Sequence, residues 1–141
     1  MNGQPLITFR IPENYATAQR MVRRALAQHG LRVPAELDVS ARIKQDMGAG
    51  VAPCLVLYVD DPALLLESVV FQRAAALHIP QPLVLSALDH RTEVVMRSGE
   101  SLLEGGLPAS VREPLLTLHT RMVRAMETIA EREGAHLLTS T

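Results

Sequence analysis

Cysteine is nearly missing from this chain: Cys54 is the single one in 141 residues. One thiol closes no internal disulfide, so the fold must rest on its core, and a reducing compartment is expected. Tryptophan is absent, and Phe9, Tyr15, Tyr58 and Phe71 are the only aromatic residues. That is too few for the stacking platforms that hold single-stranded nucleic acid. A net charge of −1 leaves no basic footprint for nucleic acid or an anionic membrane. Lys44 is the sole lysine, and the arginines are dispersed. No apolar run approaches a membrane span, and the polar residues 1–5 lack the layout of a signal peptide. The cytoplasm is the expected location. What is present is globular, with 48% apolar and 21% charged residues, enough for a core in one ordinary domain.

Periodicity and punctuation order that domain. Residues 5–10 alternate apolar and polar as a first strand. Ala18, Met21, Val22, Ala25, Leu26 and His29 then form one stripe of a helix over 13–29, with Gly30 at its C-terminal end. Residues 31–37 read as a strand that Pro34 confines to an edge or a bulge. Asp38 or Ser40 caps a short helix ending at Gly48. Residues 54–59 are apolar throughout, which predicts a strand covered on both faces. Asp61 and Pro62 open a third helix, and a proline-broken connector, 77–82, leads to a hairpin of 83–88 and 92–97 turning at Asp89-His90. After a linker at 105–108, a last helix over 110–133 carries Val111, Leu115, Leu118, Met122, Met126 and Ile129 on one face, with His119 beside them. The expected architecture is α+β: a single compact domain over 1–135, a mixed sheet packed against helices in the order β-α-β-α-β-α-β-β-α, and a frayed tail at 136–141.

The series Gly30-Leu31-Arg32-Val33-Pro34-Ala35-Glu36-Leu37-Asp38-Val39, followed by Ile43-Lys44-Gln45-Asp46-Met47-Gly48, resembles the domain of unknown function 302 family. The likeness continues through Pro53, the strand to Val59, Asp61-Pro62, and Ile79-Pro80 before Leu83-Val84-Leu85. It implies a compact α+β fold that tends to form homodimers, with no established enzyme activity. Two departures stand out. Where the family often has a cysteine before an Asn-Pro step, this chain has Asp60. Where it often has Leu-Leu-Pro-Cys-Asn, this chain has His78-Ile79-Pro80-Gln81-Pro82. A role attached to those cysteines is therefore not available here. Cys54 reads as a small inert hydrophobe beginning a buried strand.

Catalytic constellations are missing as well. His29, His78, His90, His119 and His136 are scattered, with no spacing of a zinc site. No serine sits in a glycine-flanked elbow, and Gly48-Ala49-Gly50 precedes a strand, not the helix that a phosphate loop requires. Asp60 and Asp61 are adjacent, so their side chains diverge, and helix capping accounts for at least one. His29 suits the end of its helix; His90 and His136 suit solvent.

Haem needs only an apolar slot and one imidazole, and haem binding is a property that the family resemblance implies. His78 is the candidate axial ligand, since the family position is usually leucine and its neighbours Leu77 and Ile79 are apolar. His119 is the rival, although a helix flank with its ring tip in water is its ordinary reading. Met96 and Met122 are candidate pocket walls or core filler. Arg73, like Arg91 and Arg97, is a candidate partner for propionates or a plain surface residue. The expected function is thus a homodimeric haem-b protein with a site left for a diatomic gas. The alternatives are a cofactor-free dimerisation or partner-binding module, for which Met122→Glu on the last helix would abolish assembly, and an enzyme with an unrecognised cleft.

Overall fold

Burial with a period of two marks the strands of the computed structural model, which describes residues 4–133. The six strands are β1 (Leu6–Ile11), β2 (Arg32–Asp38), β3 (Cys54–Asp60), β4 (Gln81–Ala87), β5 (Thr92–Arg97) and β6 (Glu131–Arg132). They form one sheet in the order β2-β3-β4-β5-β1-β6. The α+β class and the order of the main elements are as expected. The sheet, expected to be mixed, is antiparallel at every pairing. Two-sided burial is therefore not required of its strands.

The helices are α1 (Tyr15–Gln28), α2 (Val39–Met47), α3 (Pro62–Phe71), α4 (Gly99–Leu102) and α5 (Ala109–Glu127), with a 3-10 turn at Arg73–Leu77. The stripes of α1 and α5 meet Phe9, Leu57, Leu83, Leu85 and Val94 in one core, and α3 packs against α5. Local chemistry sets the helix ends. Asn14 accepts from the Thr17 N–H, Asp38 from Ala41 and Asp61 from Ala63, while Gly48 closes α2 in the left-handed region. β2 is an edge strand whose register shifts between Arg32 and Ala35, around Pro34.

Three expectations change. In β3, Leu55, Leu57 and Val59 are buried but Val56 and Tyr58 only half so; its second face is not covered. Register aligns Leu37, Val56, Val84, Val95 and Thr8 in a row across that open face. Cys54 belongs to the open face too, half-buried, with Sγ 3.8 Å from Ser86 Oγ. Finally, the last helix stops at Glu127. Thr128 Oγ1 donates to the Ala125 carbonyl at 2.6 Å, and the chain turns back to pair β6 with β1.

Candidate functional site

The segment predicted to hold a ligand divides between three environments. Ile79 is fully buried in the core, His78 is half-buried at the end of the 3-10 turn, and Leu77 is 83% exposed. Arg73 is exposed on the same turn. Met96 and Met122 lie in the core between the sheet and α5, away from solvent. The structure therefore brings Arg73, Leu77 and His78 together on one surface turn and assigns Ile79, Met96 and Met122 to packing. Met122→Glu would place a charge inside the core, so it reports on folding and not on assembly.

His119 differs from its sequence reading. Its ring is buried against Gly99, and Nε2 lies 2.9 Å from the Arg97 carbonyl, which fixes the proton on that nitrogen because a carbonyl only accepts. Burial pushes its pKa down, opposed by that hydrogen bond. His29 behaves as expected, with Nδ1 2.9 Å from the Ala25 carbonyl at the end of α1, and His90 is exposed in the hairpin turn. His136 and the expected tail lie outside the described residues. Among the described residues His78 holds no ring hydrogen bond, unlike His29 and His119. No three His, Cys, Asp or Glu side chains among them gather as a metal site.

The surface around His78 is unusually apolar. Apart from Glu67 and Ser68, α3 is hydrophobic, a pattern that suits a covered helix. Only its inner side is covered: Leu66, Val70 and Phe71 are exposed, Phe71 by 73%, and Leu77 extends the patch along the 3-10 turn. Sequence reasoning noted the apolar run but gave it no outward face, because Leu64 to Leu66 and Val69 to Phe71 offer no polar residue to mark one.

Beside this patch, β2 and α3 enclose a cleft of about 770 Å³ lined by Val33, Pro34, Pro62, Leu65, Val69 and Ala76, with Arg32 and Asp60 at its polar end. Asp60 is only 5% exposed. Its carboxyl pKa is raised by burial and by the neighbouring Asp61, and Arg32 partly opposes this. Asp61 goes the other way: hydrogen bonds from Arg121 and the Ala63 N–H hold it below the usual carboxylate range. No motif pointed to the cleft, since its walls come from segments about thirty residues apart.

The family model for the Domain of unknown function DUF302 matches residues 7–129. The chain belongs to the DUF302 family. The fold agrees: a crystal structure of an uncharacterised conserved DUF302 protein from Bacillus stearothermophilus superposes with a TM-score of 0.79 at 14% identity, covering 90% of this chain and 99% of that one. Comparison with curated proteins gives no match. Among the described residues of this DUF302 chain, no helix is long and apolar enough to cross a membrane.

Proposed function

We propose that the protein is a self-associating binding module that holds haem b on His78 at the surface of α3 and the 3-10 turn. The observation that carries this reading is an imidazole without a described hydrogen-bond partner beside an apolar patch of Leu66, Val70, Phe71 and Leu77. Monomeric proteins seldom leave such a patch uncovered unless it binds something. The residues fit the group in part. His78 supplies an iron ligand, Leu77 and Phe71 an apolar surface, and Arg73 a partner for a propionate, but one protomer alone leaves this surface open. A second copy would close it. Were haem bound there, His78 would hold its iron, and the iron would supply a site for a diatomic gas.

The patch also favours pairing on its own, cofactor or not. Its exposed residues include one acid, Glu67, and one base, Arg73, interspersed with the apolar side chains. A two-fold arrangement sets each Glu67 against the Arg73 of the other copy, which is how an isologous interface satisfies itself.

Two measurements test this. Haemin added to the purified protein should give a Soret band that His78→Ala removes. Light scattering across a dilution series should give a dimer that Phe71→Glu weakens at least tenfold, about 1.4 kcal/mol. A protein that ignores haemin but dimerises through Phe71 would retain the module and discard the cofactor. A monomer that ignores haemin would discard both.

A further inference from the structure

The cleft between β2 and α3 adjoins the His78 surface and shares Leu66 with it, and we infer that it binds a small amphiphile with an apolar tail and a cationic amine head, the tail lying along Leu65 and Val69 and the head meeting Asp60. The cleft walls are aliphatic side chains and prolines, and its volume of about 770 Å³ falls in the range of small-molecule sites. An apolar hollow of this kind prefers an apolar occupant. The polar end decides the head group.

Asp60 is a carboxylic acid only 5% exposed, opening on the end of the cleft, where a group with so little surface normally has its hydrogen bonds supplied by the protein. Its neighbours do not supply them. Asp61 receives the Ala63 N–H at 2.8 Å and the Arg121 guanidinium, whereas Asp60 takes no hydrogen bond from any described residue. Arg32 faces Asp60 in the strand register, yet its side chain is exposed and forms no described ion pair with it. The four ion pairs of the described residues join other partners. A carboxyl without a described hydrogen-bond donor, at the end of an apolar cleft and with Arg32 acting on it only from an exposed position, complements an ammonium group. A carboxylate head would meet the like charge of Asp60 and find only the exposed Arg32 to offset it, and a hydroxyl would supply one donor without charge.

Octylamine, octanol and octanoate share one tail and differ in the head, so calorimetric titration of the wild-type protein with each separates tail from head. Octylamine should bind at least tenfold tighter than octanol, and octanoate weakest. Asp60→Asn should abolish that order while octanol still binds. Val69→Trp, which fills the cleft, should remove all three, and Val69→Ala serves as a control that opens it and keeps the amine preference. The inference fails if no probe binds, if octanoate equals octylamine, or if the preference survives Asp60→Asn. Haemin absorbance in Asp60→Asn should equal that of the wild type, so the His78 reading stands or falls separately.

Discussion

Gln81 begins β4 opposite Val59 on the core side, fully buried, with neither its amide nitrogen nor its oxygen hydrogen-bonded to a described residue. An unsatisfied buried polar group costs about 1–3 kcal/mol. Gln81→Leu should therefore stabilise the protein by about 1 kcal/mol or more in urea unfolding. A loss of stability instead would mean that a bridging water holds the amide. His119 makes the opposite case, a buried polar group with its partner in place. Its pKa is held below the ordinary 6.5, so between those values the unfolded chain binds the proton and the folded chain does not. The stability that neutral His119 contributes is complete above about pH 6.5 and is lost as pH falls through the folded value. Unfolding free energies at pH 7.5 and 5.0 should differ less in His119→Gln than in wild type; equal slopes would refute this assignment.

At the scale of elements, α2 is the weakest part. It has a side-chain cap at Asp38 and a left-handed glycine at Gly48, but none of its residues is buried. Packing, more than capping, sustains a nine-residue helix. Its amides should exchange with solvent much faster than those of α5 in native-state hydrogen exchange, and protection equal to α5 would show that α2 is covered in solution. The same contrast explains what the sequence revealed. Asp38, Asp61, Gly30 and Gly48 act on their nearest neighbours, so the end of α1, both ends of α2 and the start of α3 were legible, as were the stripes of α1 and α5. β6 has only two residues, too few for a pattern, and exists because β1 leaves an edge to pair with. The open face was misread because Val56 and Tyr58 are apolar whether covered or not. Of the candidate site, His78 was legible as an oddity in an apolar run. The cleft was not, because Asp60 looks like an ordinary helix-start acid until β2 is placed beside it.

The whole molecule is joined at Arg121. From α5 it donates to the Asp61 carboxylate at 2.5 Å and to the His29 carbonyl at 2.7 Å, so one guanidinium ties the start of α3 to the end of α1. Two hydrogen bonds from a partly buried charge contribute on the order of 2 kcal/mol. Arg121→Met should lose about that amount in denaturant unfolding. The substitution should also flatten the acid limb. Asp61 is depressed below its ordinary 3.8 mainly by Arg121, so its contribution is present above that value and lost as pH falls through the folded one. An unchanged acid limb would show that the Ala63 N–H alone governs Asp61.

Gly30 lies directly under this arginine. Its φ is +73°, and a Cβ there would come within 2.7 Å of Arg121 Nη2. The two positions, ninety-one residues apart in the chain, therefore have a history that runs in one direction. While the guanidinium reaches the His29 carbonyl, a side chain at 30 must push it aside. Once Arg121 is shortened, an asparagine at 30 meets only the ordinary strain of left-handed backbone. Substitution at 121 first and 30 second avoids that displacement, whereas the reverse order gives up the bond to the His29 carbonyl on the way.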